Sequence, residues 1–103
     1  VTHATITLDH AARILVVDDE RRNRELIEVM LSADGYLIQA AASGEEALTM
    51  VREASPDLIL LDIMMPGMDG YEVARALKAD PATTHIPIIL ITALNDRESR
   101  LLG

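Results

Sequence analysis

Arg13-Ile14-Leu15-Val16-Val17-Asp18-Asp19 and Asp57-Leu58-Ile59-Leu60-Leu61-Asp62 are two aliphatic runs that both finish on carboxylates, and each is followed by a segment that reads as helix. Near-continuous aliphatic runs are what strands covered on both faces of a parallel sheet require. In an open parallel sheet the ends of such strands lie side by side, at the edge where ligands bind. Asp18, Asp19 and Asp62 are therefore expected to converge on one small volume. A cluster of that kind repels itself unless a cation neutralises it, and aspartate oxygens suit a hard cation such as Mg²⁺. The pattern suggests a metal-assisted phosphate site.

Outward from these two strands the chain alternates. The first strand, Ile14 to Asp18, leads into a helix from about Arg21 to Ala33, with Leu26, Met30 and Ala33 spaced for one apolar face and Ile27 beside them. Gly35 suits the left-handed position that ends it. Tyr36 to Ala41 reads as a second strand. Ser43-Gly44-Glu45-Glu46 has the capping-box pattern and opens a second helix, to about Ala54, with Ala47, Leu48 and Val51 inward. Ser55-Pro56 breaks it. Leu58 to Leu61 is the third strand, Ile63 to Gly70 a loop rich in Met, Pro and Gly, and Tyr71 to Lys78 a third helix. Ile88 to Thr92 is the fourth strand, and Asn95 to Leu102 reads as the start of another helix. The order β-α-β-α-β-α-β-(α) predicts an α/β doubly wound parallel sheet in three α/β/α layers. Residues 1–12 read as a leader, with Ala4 to Leu8 a short strand or part of a disordered tail, and 13–103 as one domain.

Composition narrows the function. The chain has 103 residues, half of them apolar, with no Phe and no Trp and with Tyr36 and Tyr71 as its aromatics. A stacking platform for single-stranded nucleic acid needs exposed rings. A net charge of −8 disfavours direct nucleic-acid binding by this chain. Arg21, Arg22 and Arg24 cluster, but Asp18, Asp19, Glu20 and Glu25 surround them, which reads as a solvated helix start. The absence of cysteine excludes disulfides, thiolate zinc sites and thiol nucleophiles. His3, His10 and His85 lack metal-ligand spacing. No apolar run approaches the roughly 20 residues of a membrane span, and a cytoplasmic location is the default expectation.

Each feature alone has an ordinary structural reading. Paired aspartates cap helices, Pro66-Gly67 and Asp69-Gly70 make turns, Met64, Met65 and Met68 fill gaps, and Thr92 can cap the next helix. The combination identifies a family. Asp18-Asp19 after the first strand, Asp62 after the third, the loop Asp62-Ile63-Met64-Met65-Pro66-Gly67-Met68-Asp69-Gly70 and Thr92-Ala93 after the fourth resemble the receiver domain of two-component response regulators, over about Arg13 to Gly103.

The resemblance implies a flavodoxin-like (CheY-like) fold with strand order 2-1-3-4-5. It makes Asp62 the phosphoacceptor, taking a phosphoryl group from a sensor histidine kinase or phosphotransfer protein. Asp18, Asp19, Asp62 and the main-chain carbonyl of Met64 become the Mg²⁺ ligands, Asp18 directly or through water. Thr92 is expected to hydrogen-bond a phosphoryl oxygen and to move with the switch. Such a domain helps catalyse its own aspartyl phosphorylation and dephosphorylation and is a signalling switch rather than an enzyme. The chemistry agrees. Phosphoryl transfer asks a protein mainly for alignment and charge neutralisation, and a carboxylate is a competent nucleophile once its charge is screened.

The family also has a fifth strand, which carries a phosphate-contacting lysine and an aromatic switch residue, and a fifth helix. The sequence in hand reads as a piece truncated before them, and Lys78, its one lysine, lies on the third helix. Loss of one charge-assisted donor costs roughly 2–4 kcal/mol of transition-state stabilisation, so slow or absent phosphorylation of Asp62 in this chain alone, weakened switching and intact Mg²⁺ binding are expected. A bare fourth strand, Ile88 to Ile91, is expected to favour self-association or covering by Ala4 to Leu8. Met64 and Leu94, both apolar, are placed by the resemblance at the pocket mouth, where side chains affect attacking water, and a comparatively long-lived acyl phosphate is expected in the full-length protein. Two alternatives compete. One is a phosphorylation-deficient pseudo-receiver acting as a protein interaction module. The other is a Mg²⁺-dependent phosphohydrolase, which usually needs an Asp two residues after its nucleophile, where Met64 stands.

Overall fold

The computed structural model describes residues 11–91. Its elements are β1 (Arg13–Val17), α1 (Arg21–Ser32), β2 (Leu37–Ala41), α2 (Gly44–Glu53), β3 (Leu58–Asp62), α3 (Gly70–Ala79) and β4 (Ile88–Ile91). The described strands form one parallel sheet in the order β2-β1-β3-β4. This is the doubly wound order that the sequence implies. The leader, Thr92, Leu94 and the segment Asn95 to Leu102 lie outside the described residues.

Alternation along the strands divides the core into two layers. Leu15, Val17, Ile59 and Leu61 face α2 and α3, where they pack with Ala47, Val51, Val73 and Leu77. Ile14 and Val16 face the other way, onto Ile27 of α1, with Leu31, Ile38, Leu58 and Leu60 partly buried beside them. The helix on that side meets the sheet along a different line from the one the sequence suggests. Leu26 and Met30 are 56% and 55% exposed, whereas Asn23 and Ile27 turn inward. An inward polar residue shifts the buried stripe by one position, and a count of apolar residues alone misses that.

The helix ends are set locally. Gly35 takes a φ of +91°, as its place after α1 predicts. Ser43 accepts from the Glu46 N–H at 3.1 Å, but the Glu46 carboxylate reaches Ala42 N–H, so only half of the expected capping box forms at α2. The complete box is at α3, where Asp69 and Glu72 accept from each other's N–H groups.

Lys78 closes the opposite end of α3. Its Nζ donates to the carbonyls of Thr84 at 3.0 Å and Ile86 at 3.1 Å, and so ties the helix to the segment entering β4. This is the N-terminal edge of the sheet, away from the acidic cluster. Lys78→Met keeps the aliphatic stem and removes both bonds. A stability loss of about 1–2 kcal/mol is expected, read as a lower urea midpoint; an unchanged midpoint would show that the two bonds contribute nothing net.

Candidate functional site

Register builds the site. Val17 pairs with Leu61, so the residues that follow them, Asp18 and Asp62, leave the sheet side by side. Asp19 follows Asp18 directly. One carboxylate oxygen from each of Asp18, Asp19 and Asp62 lies within 4.8 Å of the others. The three residues picked from the sequence are therefore brought together at the C-terminal edge. Asp18 and Asp62 are fully buried and Asp19 is exposed.

Asp18 is held at every polar atom. Its N–H donates to Ala41 O, and its own carbonyl accepts from Arg24 Nη1 at 2.8 Å. Oδ1 accepts from the Glu20 N–H at 2.8 Å and Oδ2 from Asn23 Nδ2 at 3.3 Å. Arg24 is therefore a strut between α1 and the end of β1 and not merely part of a solvated helix start. Arg21 does fit that reading, in an exposed pair with Glu25 at 3.0 Å. Glu20 and Asn23 belong to the same constellation, although neither is part of the motif. Their spacing, two and five residues after Asp18, was the available signal.

Asp62 ends β3 and accepts from the Met64 N–H at 3.1 Å through Oδ1. Met64 itself is 60% exposed, while Met65 is buried and Met68 half-buried against the core. Two of the three methionines thus pack as gap fillers and the third stands at the surface beside Asp62. Gly70, the first residue of α3, donates to the Ile63 carbonyl at 3.0 Å and so fixes the loop that follows Asp62.

Charge is strained here. Burial pushes the Asp62 carboxyl up to about 6; the bond from Met64 N–H opposes this, and the negative charges of Asp18, Asp19 and Glu20 add to it. Asp18 is raised in the same sense, first by burial, against the bonds from Glu20 N–H and Asn23. Each shift says that the metal-free protein disfavours negative charge where it has placed three carboxylates. An all-oxygen donor set in a small, self-repelling cluster is the donor chemistry of a hard divalent cation, and these residues fit Mg²⁺.

A family model described as response regulator receiver domain matches residues 14–101. The response regulator PleD of Caulobacter vibrioides is 54% identical over 93 residues, which cover 90% of this chain and 20% of that protein. The DNA-binding response regulator MtrA of Mycolicibacterium paratuberculosis is 44% identical over 91 residues, 88% of this chain and 39% of its own length. The chain thus spans between a fifth and two fifths of these relatives. In structure it is similar to the N-terminal domain of a response regulator receiver protein from Methanoculleus marisnigri JR1, with a TM-score of 0.76, 40% identity and coverage of 86% of this chain and 76% of that one. Among the described residues no helix is long and apolar enough to cross a membrane.

Proposed function

The chain belongs to the response regulator receiver domain family of two-component signalling, and from that premise we propose that it is a Mg²⁺-dependent phosphoacceptor with Asp62 as the acceptor residue. The observation that carries this reading is the convergence of Asp18, Asp19 and Asp62 within 4.8 Å at the C-terminal edge of the sheet.

Asp18, Asp19, Asp62 and the Met64 carbonyl are the groups that hold the cation. Bound there, Mg²⁺ supplies charge neutralisation for an incoming dianionic phosphoryl group. The residues do the rest. Asp18, clamped by Glu20, Asn23 and Arg24, gives a fixed wall to the site. Met64 N–H holds Asp62 Oδ1 and so orients the carboxylate. Without a cation, burial and the neighbouring carboxylates push Asp62 up to about 6; a bound cation would favour the ionised carboxylate, whose lone pair attacks phosphorus. As the O–P bond forms, the P–N bond of a donor phosphohistidine breaks and the imidazole nitrogen keeps the electron pair. Thr92 is assigned a hydrogen bond to a phosphoryl oxygen. The donor is a histidine kinase or phosphotransfer protein, the partner class of receiver domains, and the reading places the exchange in the cytoplasm.

Intact mass after incubation with Mg²⁺ and a small phosphodonor tests this. The reading predicts a slow gain of one phosphoryl group, absent in Asp62→Asn and absent when Mg²⁺ is chelated. No gain in a chain shown separately to bind Mg²⁺ would favour an interaction module on the same fold.

A further inference from the structure

Asn23 lies on the first turn of α1 and is only 9% exposed. The phosphoacceptor chemistry does not use it directly. A buried amide is costly unless it is hydrogen-bonded, and Asn23 Nδ2 donates to Asp18 Oδ2 at 3.3 Å and to Glu20 Oε1 at 2.9 Å. One neutral NH₂ group thus bridges two carboxylates of like charge.

The choice of an amide has a consequence. A lysine or arginine in this place would hold both carboxylates but cancel the charge that attracts a cation. An apolar side chain would leave them facing each other, and Glu20, which is half-buried, would turn toward water. The amide bridges them without neutralising them. Glu20 is also near enough for its charge to be felt at both Asp18 and Asp62.

We propose that Asn23 is a positioning residue that bridges Asp18 and Glu20, and through that bridge makes Glu20 an outer member of the cation site. This rests on the metal-site reading above. Partners that orient metal-binding groups from behind typically change affinity by about 10–100-fold when removed.

Calorimetric titration of the chain with Mg²⁺, for wild type, Asn23→Ala, Glu20→Ala and the double variant, tests the bridge. Alanine favours helix more than asparagine does, and metal-free urea midpoints verify that each variant is folded. Asn23→Ala is expected to weaken Mg²⁺ about 10-fold in the wild-type background but about threefold or less in the Glu20→Ala background. A residue that merely supports the helix would give equal losses in both backgrounds, and that result would overturn the proposal. So would an affinity of Asn23→Ala within about twofold of wild type, or Glu20→Ala at wild-type affinity. These outcomes leave the metal site standing. Wild type that takes up no Mg²⁺, or Asp62→Asn that binds as tightly as wild type, overturns the site and the bridge together.

Discussion

Asp62→Asn is expected to make the metal-free chain more stable at pH 7, by about 3 kcal/mol. Folding moves the Asp62 carboxyl from an ordinary value of 3.8 to about 6, because the folded protein buries it among Asp18, Asp19 and Glu20. A group whose folded value is raised binds its proton more tightly when folded. Its contribution to stability is present below pH 3.8 and is lost as pH rises through about 6. At pH 7 the loss is nearly complete. Asparagine has the same shape, keeps an oxygen for the Met64 N–H and carries no charge. Asp18, also raised, acts in the same direction and deepens the decline. Urea unfolding in a chelator should therefore show wild-type stability falling between pH 4 and pH 6, with a shallower fall in Asp62→Asn. An Asp62→Asn variant no more stable than wild type at pH 7 would mean that the cluster is not strained.

The second large effect is at Gly70. A Cβ there would lie 2.5 Å from the Asp62 carbonyl oxygen and 2.7 Å from Ile63 Cα. Both are main-chain atoms of the strand end that carries the acceptor, so no side chain can move aside. Gly70→Ala must push the start of α3 away from β3, breaking the Gly70–Ile63 bond and disturbing the Asp62–Met64 contact. A loss of about 3 kcal/mol is expected, the upper end for overpacking. Gly67→Ala is the contrast. Its φ of +74° disfavours a side chain, but a Cβ meets nothing within 4 Å, so about 1 kcal/mol is expected. Equal urea midpoints for the two variants would show that α3 yields freely at its first turn.

These two positions also mark what was legible in the sequence. Arg13 to Asp19 and Asp57 to Asp62 could be read because a strand buried on both faces must be aliphatic throughout, and a carboxylate ending such a run is conspicuous. Parallel order then brings Asp18 and Asp62 together through the Val17–Leu61 register without any further information. The face of α1 was less legible. Leu26, Met30 and Ala33 give a good apolar line, yet Asn23 and Ile27 face inward, because Asn23 is turned in by Asp18 and Glu20. Polarity counts cannot register a residue buried for its hydrogen bonds. Asp69-Gly70 is a turn signal in the sequence, which carries no measure of how closely α3 starts against β3. Glu46 had the spacing of a capping box, but its carboxylate found the Ala42 N–H one residue earlier.

The most direct test of the central claim, that Asp18, Asp19 and Asp62 form a cation site held in readiness for phosphoryl transfer, is urea unfolding at pH 7 across a Mg²⁺ series. A ligand that binds the folded state stabilises it by about 1.4 kcal/mol for each tenfold rise in concentration beyond saturation. The wild-type midpoint should climb with Mg²⁺ on that slope, while Asp62→Asn, already stabilised, should respond little. A wild type indifferent to millimolar Mg²⁺, or one whose response Asp62→Asn shares in full, would contradict the claim.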